Sequence, residues 1–219
     1  MPLISARYGH DVYAALTDAV ARAKHDDPLA EVMLVVPTEP IGTAARRWLA
    51  AHGPNGSPGI AGLSIVTQYR LAERIASPSL AGLGRKPVTA PVLVGAMRAI
   101  VARSDTCFTP IAHHPQTARA LADASVELNR VDPAVLPTLA GDRLVTAEVL
   151  DLHQKVRQEL AAGYFDEVEL MRVATETVDT LAPVVLFLPH ELSHAEQKIA
   201  AAVAGGRTVT ANAGLRGGA

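Results

Sequence analysis

The sequence predicts an α/β fold, a parallel sheet flanked by helices with a long all-helical segment interrupting it. Three observations lead there. Two short, near-continuous aliphatic runs, Glu31–Val36 and Pro183–Leu188, have the form of strands buried on both faces. Strand-like and helix-like stretches alternate up to about residue 76. From residue 77 to 182 only helical patterns appear, broken by Pro- and Gly-bearing joints.

The first strand is the apolar stretch Pro2–Ala6, which leads through Arg7-Tyr8-Gly9-His10 into a helix over His10–Lys24. Val12, Leu16 and Val20 recur every four residues on one face, and Asp11 complements the positive end of the helix dipole. After the second strand, closed by Pro37, Pro40 suits the first turn of a second helix carrying Arg46, Arg47 and Trp48 to about His52. Residues 53 to 59 have loop composition, Gly62–Val66 reads as the third strand, and Thr67 is placed to cap the helix bearing Tyr69, Leu71 and Ile75. Helices are then expected over Val88–Arg103, Pro115–Asn129, Thr146–Ala161 and Asp166–Val178, with breaks at Pro78–Pro87, Phe108–Pro115, Val131–Gly141 and Gly163. A fourth buried strand over Pro183–Leu188 precedes a helix from about Glu191 to Ala204 and a short strand over Arg207–Thr210. The tail from Asn212 carries no packing pattern, so the chain reads as an N-terminal piece of something longer.

Composition narrows the function classes. The 219 residues are 49% hydrophobic, enough for one sizeable core and a smaller second lobe. A net charge of −2 gives no global basic field, so any contact with nucleic acid has to be local or shared with a larger assembly. Aromatic residues make up only 4% of the chain, which supplies poorly a platform for stacking bases. The single cysteine, Cys107, excludes an internal disulfide and reads as a packing residue of a reducing compartment. No stretch approaches the roughly 18 apolar residues of a membrane span, and no signal-like segment opens the chain, so a cytoplasmic location is expected.

The most informative feature is an absence in the turn after the first strand. A phosphate cradle of the G-x-x-x-x-G-K-[ST] kind needs glycines that let backbone N–H groups converge, and a lysine to meet the phosphate charge. Here the turn is Arg7-Tyr8-Gly9, and the first lysine is Lys24. Gly82-Leu83-Gly84-Arg85-Lys86 has a superficial likeness to such a loop, but Pro87 breaks the helix start that must follow it. His113-His114 before Pro115 reads as a loop and cap pair rather than a metal site.

The order of three strand–helix units, a helical insertion and a further buried strand resembles the first RecA-like domain of UvrD/Rep-type helicases. Val35-Val36-Pro37-Thr38 resembles the strand end that contacts single-stranded DNA there, and Leu63–Leu71 resembles the next motif, in which a threonine closes the strand. Val184–Ser193 falls where that family carries its acidic Walker B box. Gly59–Leu63, Phe108–Thr117 and Ala195-Glu196-Gln197 are similar to the N-terminal region of AddB-like helicase–nuclease subunits and PD-(D/E)XK nuclease family proteins.

The resemblance implies a discontinuous, degenerate RecA-like domain over residues 1–76 and 183–219, with an inserted helical subdomain over 77–182. It implies a scaffold or DNA-tracking role in recombination and double-strand-break repair, with DNA and a helicase or nuclease subunit as partners and the family's nuclease domain outside this chain. DNA-contacting candidates are Thr38, Arg46, Arg47, Thr67, Gln68, Tyr69 and Arg70, while Arg7, Tyr8, Gly9 and Glu191 mark the emptied nucleotide site. Leu188-Pro189 stands where a magnesium-holding aspartate follows the strand in that family, so ATP hydrolysis, cofactor and metal are not expected.

A rival motif lies nearby. His190-Glu191-Leu192-Ser193-His194 is a literal H-E-x-x-H, the spacing that sets two imidazoles on one helix face beside a carboxylate for zinc hydrolysis. This alternative makes His190 and His194 ligands and Glu191 the base. Against it, Pro189 sets the motif in a first helical turn, and no Asp or Glu follows Glu196 to serve as a third ligand. On a helical wheel Leu192, Ala195, Ile199 and Val203 form the buried side, which leaves the histidines on a solvated face.

Overall fold

The computed structural model describes residues 3–25, 27–53, 56, 58–141, 143–178, 182–189, 192–207 and 210–213. By its internal contacts the chain divides into two compact units, Met1–Ala76 with Met171–Ala219, and Ser77–Leu170. The first unit therefore includes most of the helix that the sequence assigns to the end of the 77–182 segment.

A parallel sheet organises the first unit. β2 (Val32–Val36) lies between β3 (Leu63–Thr67) and β6 (Val184–Phe187), and β7 (Thr210–Ala213) and β1 (Leu3–Ala6) extend the sheet beyond β6 in the order β1-β7-β6-β2-β3. Every pairing is parallel, with Leu34 opposite both Ile65 and Val185. β2 needs no polar side because both of its faces are covered. Val32, Leu34 and Val36 join Val185 and Phe187 in one cluster with Val12, Leu16 and Val20 of α1 (His10–Lys24) and Ala45 and Leu49 of α2 (Glu39–Ala51). Met33 and Val35 point to the opposite face, as alternation along a strand requires, and are buried as well. α9 (His194–Arg207) packs on β6 and buries Ala195, Ile199 and Val203, the stripe read from the helical wheel.

Two boundaries differ from the sequence reading, the end of the third helix and the last strand. α3 (Gln68–Gly82) runs through Pro78 instead of ending there. Pro78 forfeits its own N–H bond on an exposed face, while Leu80, 1% exposed, anchors the turn that follows. The last strand falls at Thr210–Ala213, not Arg207–Thr210, because α9 continues to Arg207. β7 takes in Asn212 and Ala213, which carry no apolar pattern. It lies between β1 and β6, so backbone pairing on two sides holds it.

In the second unit, α4 (Ala90–Arg103), α5 (Pro115–Asn129) and α7 (Leu144–Leu160) close around Met97, Ile100, Val101, Leu121, Ala122, Leu152 and Val156. α6 (Leu136–Ala140) is a single short helix within a stretch expected to be a break. The unit is not all-helical. β4 (Lys86–Pro87) and β5 (Tyr164–Phe165) pair in parallel, through Lys86 N–H to Gly163 O at 3.0 Å and Val88 N–H to Phe165 O at 2.8 Å. The Arg85 guanidinium locks the pair: Nη2 donates to Tyr164 O at 2.6 Å and Nη1 meets Glu169 of α8 (Glu167–Thr177) at 2.8 Å. Strands of two residues are too short to show any period, which is why the pattern along the chain misses them.

Candidate functional site

Loops leaving the carboxyl ends of parallel strands converge along one edge of a sheet, the usual place for a ligand in such folds. Here that edge gathers Arg7-Tyr8-Gly9 after β1, Pro37-Thr38 after β2, Thr67 to Arg70 at the β3–α3 junction and Leu188-Pro189 after β6. Only β7 separates β1 from β6, so their ends lie about 10 Å apart, two strand spacings.

The β1–α1 turn owes its shape to Gly9. At φ 105° and ψ −139° it occupies a region that side-chain-bearing residues avoid, and this lets the chain turn sharply from strand to helix. Arg7 and Tyr8 stand exposed beside it, Tyr8 at 78%. Arg7 is the turn's one cation. Lys24 sits at the far end of the 15-residue helix, buried, its ammonium donating to Pro28 O at 3.1 Å and to Ala30 O. Burial lowers its pKa from the ordinary value, and the two carbonyls commit it to bracing the approach to β2.

The end of β6 is apolar and strained. Leu188 has φ 51°, a left-handed conformation that costs a side-chain-bearing residue about 1–2 kcal/mol. Its side chain packs against the cluster formed by α1, α2, β2 and β6, and that burial offsets the strain. An aliphatic side chain thus closes the carboxyl end of this strand. His190 and Glu191, the next two residues, lie outside the described residues.

The structure brings some of the DNA-contacting candidates together and separates others. β2 and β3 pair with Val36 opposite Thr67, which sets Thr38 beside the start of α3. Thr67 caps that helix, its Oγ1 accepting the Arg70 N–H at 3.3 Å. Thr38 precedes α2 without a side-chain cap bond and is exposed, as are Tyr69 and Arg70. Gln68, by contrast, is 8% exposed and withdrawn from the surface. Arg70 pairs with Glu73 at 2.5 Å, and this hydrogen bond holds its pKa above the ordinary value, with Glu39 adding a smaller attraction. Arg46 and Arg47 are exposed in the middle of α2, about 12–14 Å along the axis from Thr38, and do not join the edge.

The H-E-x-x-H spacing does not lie on one helix. Leu192 and Ser193 are non-helical, and α9 begins at His194. Ser193 and Glu196 form a capping box: the Ser193 N–H donates to Glu196 Oε2 at 2.8 Å, and the Glu196 N–H donates to Ser193 Oγ at 3.3 Å. The carboxylate and hydroxyl near the motif are therefore spent on the helix start. Among the described residues, no three His, Cys, Asp or Glu side chains gather to hold a metal ion. Changing Ser193 to Ala is expected to cost about 1 kcal/mol, read as a lowered urea midpoint.

The sequence reading missed one aromatic group, formed between α1 and α2. Trp48 of α2 stacks on His52 at 4.1 Å between ring centroids, meets the edge of His10 at 5.0 Å and lies 5.3 Å from Tyr13. Its indole N–H donates to Thr17 Oγ1 at 3.1 Å. The four-residue spacing of Trp48 and His52 was the available signal, since such residues are neighbours on a helix. No protein-family model matches the sequence, and no curated protein matches it.

Proposed function

We propose that this chain contains a RecA-like helicase domain without nucleotide chemistry, acting as a scaffold or DNA-tracking module beside a helicase or nuclease subunit in double-strand-break repair. Leu188 carries the reading: left-handed and packed against the core, it stands at the end of β6, where under the helicase reading hydrolysis needs a metal-binding carboxylate. Support also comes from the strand order, which sets the lysine-free β1 turn and the end of β6 on either side of β7. Triphosphate cleavage requires a cation at the phosphates and a metal-bound acid together. The β1 turn offers one arginine, and Leu188-Pro189 offers no acid.

The DNA-facing part rests on Thr38, Tyr69 and Arg70 sharing the carboxyl edge of the β2–β3 pair, with Arg7 and Tyr8 exposed on the same edge. With a net charge of −2 and Glu73 already on Arg70, binding is weak and salt-sensitive in the isolated chain. Two measurements test the proposal. ATP turnover stays at background with or without single-stranded DNA, and also in Tyr8→Lys, which adds a lysine beside Arg7 but no acid. Fluorescence anisotropy with a labelled oligonucleotide shows binding that weakens as salt rises and weakens further in Arg70→Ala. Robust turnover that co-purifies with the chain through successive columns would refute the nucleotide half, and salt-independent or absent DNA binding would leave only the scaffold role.

A further inference from the structure

The helical unit encloses a set of polar groups that no surface site uses. Ser125 and Asn129 lie one turn apart on α5, and His153 of α7 meets Ser125. Ser125 is 2% exposed and His153 1%, with Ser125 Oγ 2.8 Å from His153 Nδ1. Asn129 Nδ2 donates to Asp166 Oδ2 at 3.2 Å, and Asp166 Oδ1 accepts the Glu169 N–H at 2.8 Å in the first turn of α8. Two buried atoms of this group have no hydrogen-bond partner among the described residues, His153 Nε2 and Asn129 Oδ1. Buried polar atoms in dense interiors are almost always satisfied, by protein or by an ordered water.

We propose that one internal water bridges His153 Nε2 and Asn129 Oδ1, completing a relay Ser125–His153–water–Asn129–Asp166 that ties α5 and α7 to the start of α8. The donor–acceptor inventory fixes the Asn129 end of the relay. Asn129 uses its NH₂ on Asp166, so Oδ1 is the acceptor still to be filled. In the proposed relay the Ser125 hydroxyl donates to His153 Nδ1, which leaves Nε2 carrying the ring proton as a donor. A water accepts that proton's bond and donates to Oδ1, the minimum pair of partners that a buried water requires.

The surroundings favour a neutral ring. Leu152 and Val156, near His153 on α7, belong to the apolar cluster that α7 forms with α4 and α5. Burial lowers the His153 pKa below its ordinary value and is the largest effect; Arg157 on α7 lowers it further, and Asp166 opposes them.

NMR on the full chain tests the relay directly. The wild type should show His153 as the Nε2–H tautomer, with a cross-relaxation peak from Nε2–H to a long-lived water. It should not titrate near pH 6.5, about where exposed histidines do. A double-mutant cycle supplies an independent reading. His153→Leu strands Ser125 Oγ and Asn129 Oδ1, and Asn129→Leu strands His153 Nε2 and removes the bond to Asp166, whereas the double variant removes both ends of the bridge and should unfold about tenfold less readily than the two single effects multiplied together predict. An Nδ1–H tautomer, titration alongside exposed histidines, no water contact at Nε2–H, or effects that simply multiply would each overturn the proposal. The wild-type spectra decide the matter should a variant fail to fold.

Discussion

Replacing Phe187 with alanine should lower the stability of the sheet-bearing unit by about 3–5 kcal/mol, the largest effect expected of any single change here. Phe187 is the last residue of β6, 1% exposed, and its ring lies 5.5 Å from that of Tyr13 on α1. It belongs to the cluster that joins α1 and α2 to β2 and β6, so truncation removes buried area from both layers and leaves a cavity that neither can readily close. Against a typical total of about 5–15 kcal/mol, that loss moves the urea midpoint far and leaves the denaturant slope near its original value. Phe187→Leu keeps more of the volume and should lose a smaller part. Equal midpoints for the wild type and the alanine variant would show that this cluster does not hold the unit together.

The second large effect is expected at Gly62, immediately before β3. Its φ is 62°, and a Cβ placed there would lie 2.6 Å from Leu29 O and 2.7 Å from Ala30 O. Both obstacles are backbone carbonyls, and Ala30 O is already held by the Lys24 ammonium. The Val32 N–H also donates to Gly62 O at 2.8 Å, so the two segments cannot part without losing that bond. Gly62→Ala should therefore cost about 2–3 kcal/mol, from the strained conformation and the collision together. Gly84→Ala provides the comparison: φ is 71° there, but no atom lies within 4 Å of the added Cβ. Only the conformational term remains, about 1 kcal/mol. Similar losses at both sites, measured by urea unfolding, would remove the close approach at Gly62 as the cause.

The elements legible in the sequence were those whose surroundings impose a pattern. Val32–Val36 and Val184–Phe187 read as strands because both faces are covered and every position is apolar. The ends of α1 and α5 are readable from spacing and from Pro115 at a first helical turn. What was hidden depends on partners remote in sequence. Lys86–Pro87 forms a strand only because Tyr164–Phe165 lies beside it, and Thr210–Ala213 only because two strands flank it. α9 starts at His194, three residues later than the spacing predicts, because the capping pair Ser193 and Glu196 sets its first turn there.

At the candidate edge, the missing lysine was plain from the chain alone. The left-handed Leu188 was not, since nothing in its neighbours announces a positive φ. Gln68 looked available because polar residues at helix starts usually are, and only the packed structure shows it at 8% exposure.

The position of β6 has a consequence for biogenesis. This strand sits beside β2, yet the two are separated in the chain by the whole of Ser77–Leu170. On a ribosome, the α4, α5 and α7 bundle can close from nearby contacts while β2 and β3 still lack their neighbour. Such long-separation pairing forms slowly, and until it does the aliphatic margin of β2 stands open to wrong partners. A nascent chain halted before Val184 would thus present a folded bundle tethered to an unfinished sheet, the form most in need of a chaperone.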